Sequence, residues 1–201
     1  MSEVTIGNSP FHVQAIITNE YGSYNPRYTC SGIHTGVDIV PTVAGGTNNN
    51  EYSVCNGQVV RVINSTTQSL GTQVLIYDTD RNIYWRYCHM VYGSPTVVEG
   101  QVITVGTQVG VMGATGNVSG AHLHLEASSQ SSWQCGTFYN PCTLLNIPNE
   151  RGTIINYDGQ PVPPPTPPEP PDPPFPTAKK KSRFPWVLYA KKFRNRGSKN
   201  G

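Results

Sequence analysis

Several things are scarce in this chain, and each scarcity closes a possibility. Charged residues make up 13% of its 201 positions, while Gly and Pro number 20 and 18. With the prolines concentrated late, the first three quarters read as a loop-rich β domain rather than a helical one. No apolar run approaches the roughly 20 residues needed to cross a bilayer, which excludes a spanning helix. Residues Met1 to Gly7 offer neither a basic n-region nor an apolar h-region, so no ordinary signal peptide is expected. The five cysteines (Cys30, Cys55, Cys88, Cys135, Cys142) show no Cys-x-x-Cys spacing, which excludes a structural zinc site of that kind. Being odd in number, they leave at least one thiol unpaired. Cys135 and Cys142 bracket a short loop that oxidation would close, but buried free thiols are the expectation.

Charge is divided unevenly. Nine of the fourteen Lys and Arg residues lie from Lys179 onward, where there is no Asp or Glu. The preceding part carries five basic against twelve acidic residues, a formal −7 beside a +9 tail. Between the two lies Pro161-Val162-Pro163-Pro164-Pro165 and its continuation to Pro174, a run that cannot form a core and reads as a polyproline II spacer. The expected organisation is a folded domain over 1–158, a Pro-rich linker over 159–178 and a basic aromatic tail over 179–201. The tail flanks Phe184 to Tyr189 with lysines and arginines, a combination suited to teichoic acid or an anionic membrane rather than nucleic acid.

Within the domain, alternation of apolar and polar residues marks strands at Phe11–Thr18, Val37–Val40, Gln58–Ile63, Gln73–Tyr77 and Ile83–Met90. Short valine runs between glycines follow at 100–110, and 133–147 closes the domain. The polar turn 64–71 predicts antiparallel pairing of the two strands around it. The fold class is all-β, a compact antiparallel sheet.

The stretch from Thr115 to Glu126 organises the chemistry. A Thr-Gly-Asn loop runs into alternation in which His122, His124 and Glu126 share one parity, and Leu123 and Leu125 the other. A His-x-His pair on a strand is a good source of nitrogen ligands for zinc. Upstream, Asp38 sits between β-branched residues, a poor place for a carboxylate without a partner. His34 shares its parity, but four extended residues span about 13 Å, so one ion could be shared only if the backbone bends. Gly36 supplies that freedom. His89 ends the aromatic strand. His34, Asp38, His89, His122 and His124 exceed the three protein ligands of a catalytic zinc, and the residues alone do not rank His122 against His124.

Taken in this order, His34-x-x-x-Asp38, Tyr87-Cys88-His89-Met90 and His122-x-His124 resemble the lysostaphin-type (LytM-like) zinc metallopeptidases, which cut peptide bonds in bacterial peptidoglycan. The resemblance covers Tyr24 to Leu145. It implies the duplicated hybrid-motif β fold, Zn²⁺ held by His34, Asp38 and His124, and His89 and His122 as catalytic histidines. It also implies a transition-state tyrosine, with Tyr28, six residues before His34, the nearest match and Tyr24 the next. There is no His-Glu-x-x-His helix, so an imidazole replaces glutamate as base. Glu126 either orients a ligand or, as expected here, is a surface carboxylate. Two other readings stand beside this one: a non-catalytic wall-binding module of the same fold, and a cysteine peptidase. Cys88 and His89, adjacent on a strand, should face opposite ways, which disfavours the latter. A monomer acting on peptidoglycan is expected. The missing signal peptide fits a phage lysin or virion-borne hydrolase, released by a holin or delivered to the wall by a tail.

Overall fold

The alternation read along the chain becomes twelve strands in the computed structural model, which describes residues 2–28, 30, 32–132 and 136–159. The spacer beyond 159 and the basic tail lie outside the described residues. The strands are β1 (Glu3–Ile6), β2 (Ala15–Asn19), β3 (Gly36–Pro41), β4 (Asn50–Tyr52), β5 (Gly57–Ile63), β6 (Thr72–Asp78), β7 (Ile83–Met90), β8 (Val102–Ile103), β9 (Gln108–Val111), β10 (Leu123–Ser128), β11 (Phe138–Tyr139) and β12 (Ile154–Tyr157). A short α-helix, α1 (Pro141–Leu145), is capped by the Asn140 side chain, which accepts from the Cys142 amide at 2.9 Å. No helix among the described residues is long and apolar enough to cross a membrane.

Ten strands form one sheet in the order β1-β12-β2-β3-β10-β7-β6-β5-β8, with β11 added to β10, and β4 and β9 form a separate pair. Pairing is antiparallel, including the predicted β5–β6 pair, except that β1 and β12, among the described residues, run parallel. The first expected strand starts later than read: Phe11 is fully buried but lies in the turn before β2.

Register explains where the site falls. Leu123 pairs with Ile39, and Leu125 with Val37 and Tyr87, so these side chains share one face of the three central strands. All five are fully buried, and each aliphatic one contributes about 1.5–3 kcal/mol through burial. The small β4–β9 sheet covers this face: the Tyr87 hydroxyl accepts from the Val54 amide at 2.8 Å and donates to the Tyr52 carbonyl at 3.1 Å. The opposite face carries the intervening residues. His124 lies between Asp38 and Cys88, and Glu126 between Gly36 and Arg86.

Two irregularities disturb the ladder beside that polar face. In β2 the register shifts between Ile17 and Asn19, so that Asn19 stands opposite Asp38. In β7 two residues, Cys88 and His89, face the span between Thr72 and Val74, and His89 adopts a left-handed backbone with φ 63°. Bulges re-aim side chains next to functional sites, and a non-glycine residue at positive φ carries local strain. His89 is thereby turned toward the same side as His124. The expected opposition of Cys88 and His89 therefore fails, because strand parity does not survive the bulge.

Candidate metal centre and active site

The polar face opens into a cleft of about 500 Å³ whose lining includes Tyr28, His34, Asp38, His89, His122 and His124. Strands form its floor. Residues from 25–28, 33–35, 69–70 and 117–122 line its walls.

On the floor, the donor atoms of His34, Asp38 and His124 lie within 4.8 Å of one another, close enough to hold one metal ion. His34 Nε2 is 3.1 Å from Asp38 Oδ1, His124 Nδ1 is 2.8 Å from the same oxygen, and the two nitrogens are 3.0 Å apart. The outer nitrogens decide what these inner atoms carry. His34 Nδ1 donates to the Glu20 carbonyl at 2.9 Å, and His124 Nε2 donates to the Glu126 carboxylate at 3.2 Å. With each outer nitrogen protonated, the neutral rings turn lone pairs toward a carboxylate oxygen. Three electron-pair donors converge, an arrangement that calls for a cation. Without a metal, a proton serves. Burial alone would lower the His124 pKa, but hydrogen bonds to Asp38 and Glu126 outweigh it and raise it to about 10. Burial likewise works to raise Asp38, yet its bonds to His124 and His34 hold it far below the usual carboxylate range.

Gly36 has a different role from the one expected. Its φ is not in the left-handed region, and His34 and Thr35 lie outside β3, which begins at Gly36, so His34 is not held to the strand's extended spacing. A Cβ on Gly36 would lie 2.9 Å from the His124 ring and 2.5 Å from the Leu125 carbonyl oxygen. The absence of a side chain lets the imidazole lie across the strand.

Glu126 is not a surface carboxylate. It is 2% exposed, accepts from Thr35 Oγ1 at 2.5 Å and His124 Nε2, and lies 3.4 Å from Arg86 Nε. Arg86 in turn donates to Gln73 Oε1 at 2.7 Å. Sequence parity put Glu126 on the correct face but carried no sign of the arginine directly opposite it on the neighbouring strand.

His89 and His122 stand beside the cluster with ring centroids 5.0 Å apart. Each has one nitrogen tied to a carbonyl: His89 Nδ1 donates to Thr115 at 2.8 Å and His122 Nδ1 donates to Gly120 at 2.9 Å. Their Nε2 atoms remain for other work, and that of His122 lies 3.6 Å from Asp38 Oδ1. Burial, reinforced by the charge on His124, lowers the His89 pKa to about 4, so this imidazole is neutral at neutral pH. The Tyr28 ring lies 5.2 Å from that of His34, and its hydroxyl accepts from Asn19 Nδ2 at 2.9 Å. Asn19, delivered by the β2 irregularity, also reaches Asp38 Oδ2 at 3.4 Å, a link nothing in the sequence announced. Tyr24 is 72% exposed and does not line the cleft. His12 lies elsewhere, stacked between Tyr52 and Tyr157 at 3.5 and 4.1 Å.

The described thiols offer no nucleophile. Cys55, Cys88 and Cys142 are free but buried, as expected, and burial pushes all three thiol pKa values up, that of Cys142 to about 12. Cys30, in contrast, is disulfide-bonded.

A His/Asp/His cluster that could hold a metal ion lies at the base of a cleft on an antiparallel sheet, with two further imidazoles beside it. Residues 32–134 match Peptidase family M23, and the chain belongs to that family. Solved structures share the fold. The catalytic domain of the antimicrobial peptidase lysostaphin from Staphylococcus simulans superposes with a TM-score of 0.54 at 23% identity, over 65% of this chain and 91% of that one. LytU gives 0.52 at 21% identity, over 66% and 85%. A zinc-containing peptidase from Vibrio cholerae gives 0.50 at 22% identity, over 66% of this chain but 41% of that longer one.

Proposed function

We propose that the protein is a zinc-dependent endopeptidase that hydrolyses peptide bonds in bacterial peptidoglycan. The observation that carries this reading is the convergence of His34 Nε2, His124 Nδ1 and Asp38 Oδ1, with both outer ring nitrogens already committed to acceptors. Two imidazoles and one carboxylate suit zinc, and three protein donors leave a position open, as catalytic zinc sites require. When bound there, zinc supplies a Lewis acid and lowers the pKa of water to about 7. Family membership supports the peptidase activity, and the lysostaphin-like fold supports the wall as substrate.

The chain's own groups account for the proton traffic. His89, neutral and anchored through Nδ1, accepts the attacking water's proton at Nε2 and returns it to the leaving amine nitrogen. The Tyr28 hydroxyl, already accepting from Asn19, keeps its hydrogen to donate to the oxygen that becomes negative as the carbonyl is attacked. His122 presents a second Nε2 to the same space and shares this work. The open walls admit an extended peptide strand.

The test is direct. Purified full-length protein should contain close to one zinc per chain and release new amino termini from purified cell walls, with mass spectrometry of the fragments locating the cut. Removing the metal should abolish release, and adding zinc should restore it. Full activity in metal-free protein would overturn the proposal.

A further inference from the structure

Resting on the reading of this cleft as a peptidoglycan peptidase site, we propose that Arg27 selects substrates carrying a free carboxylate close to the bond that is cut. Apart from the histidines, Arg27 is the only basic side chain lining the cleft among the described residues. The two carboxylates that line it are already engaged: Asp38 by His34 and His124, Glu126 by His124, Thr35 and Arg86. The rest of the lining is neutral, with Ile33, Leu70 and Val118 apolar and Asn25, Asn117 and Ser119 uncharged.

The other arginines of the folded part are accounted for differently. Arg81 pairs with Asp78 and Arg86 with Glu126, while Arg61 and Arg151 lie away from the cleft. Arg27 is exposed, and its guanidinium has no acidic or hydrogen-bonding partner among the described residues. It stands on a domain whose sequence up to residue 178 holds five basic and twelve acidic residues, so it is not part of a general basic surface.

Its backbone is held in place. Asn25 Oδ1 accepts from the Arg27 amide at 3.1 Å, and the Asn25 carbonyl accepts from the Tyr28 amide at 2.9 Å. The same loop is joined across its base by Tyr24 pairing with Ile33, and it contains the disulfide-bonded Cys30. Arg27 is therefore fixed one residue from Tyr28, whose hydroxyl reaches the floor of the site. A planar guanidinium matches a carboxylate through paired N–H donors, and no such match exists for a neutral glycine- or alanine-only bridge. Wall stem peptides supply carboxylates from their acidic residues and chain ends; amidation removes them without changing shape.

The experiment uses two stem peptides that differ only in one carboxylate converted to its amide. Hydrolysis is measured with zinc-loaded full-length protein, and binding with non-hydrolysable versions of the same pair. Wild type should favour the acid about tenfold in both kcat/KM and Kd, the scale of a charge-assisted hydrogen bond in a half-open site, with the preference shrinking in high salt. Arg27→Ala should lose the preference and Arg27→Lys should keep part of it. Equal handling of acid and amide by wild type, or an unchanged preference in Arg27→Ala, overturns the assignment. Acid-selective binding without hydrolysis of either peptide supports the assignment and counts against the peptidase reading instead.

Discussion

The two faces of β3, β10 and β7 are both buried and are built on opposite terms. One face carries Val37, Ile39, Leu123, Leu125 and Tyr87, and its stability comes from removing apolar surface from water. The other carries Asp38, His124, Glu126 and Arg86, none more than lightly exposed, and each polar group there has a partner. Above the apolar face lies β4, whose Glu51 is fully buried with neither carboxylate oxygen hydrogen-bonded. Buried charge is sustainable on the site face because the network is closed, and a closed network holds its members in fixed orientation. Glu51 has no such network, and burial pushes its pKa well above the usual carboxylate range. The same residue type is a positioning device on one side of the sheet and a liability on the other.

The sharpest way to break the site face is to compare His124→Ala with His122→Ala. The first removes a donor from the convergent cluster and should abolish both bound zinc and wall hydrolysis, since two donors hold the metal poorly. The second should leave zinc near one per chain and lower the rate by roughly 10²–10⁴-fold, the scale of a lost acid or base. Metal analysis beside a release assay separates them. Loss of zinc in His122→Ala with retention in His124→Ala would reverse the roles.

A milder break is Glu126→Gln, which keeps the side chain's shape but removes its charge. Carboxylates that orient a ligating histidine typically contribute 10–100-fold in metal affinity. Competition with a chelator should show about tenfold weaker zinc binding, with the melting temperature of the metal-free protein little changed. Unchanged zinc affinity would make Glu126 structural only.

How far the sequence reveals this arrangement depends on the range of the interactions involved. Period-two alternation is local, so β7 is readable at its true limits, and the parity of His124 and Glu126 places them on one face. What escapes is set by neighbouring strands. A bulge is a mismatch between two strands, so neither the turning of His89 nor the delivery of Asn19 to Asp38 has a signature in its own segment. The burial of Glu126 depends on Arg86 and Thr35, each from another part of the chain. Gly36 is glycine because of a ring 88 positions away, not because of its own torsion angles.

The smallest effect lies across the sheet, at Glu51. Burial raises its pKa well above the usual 4.5, with no hydrogen bond to offset it. The sign follows from which state holds the proton. Below about pH 4.5 both folded and unfolded chains carry it, and the group adds no pH dependence. Above that, the unfolded chain releases the proton while the folded chain keeps it, so stability falls by about 1.4 kcal/mol per pH unit until the folded pKa is reached. Glu51→Leu removes this dependence and fills the space with apolar atoms. In denaturant unfolding with the metal state held constant, the variant should match or exceed wild type at pH 5, and its advantage should widen as the pH rises to 7. Wall hydrolysis at low temperature should be unaffected, because Glu51 does not line the cleft. Parallel stability curves across that pH range would mean that the folded chain carries Glu51 ionised, and that the contrast between the two faces is smaller than their hydrogen bonding indicates.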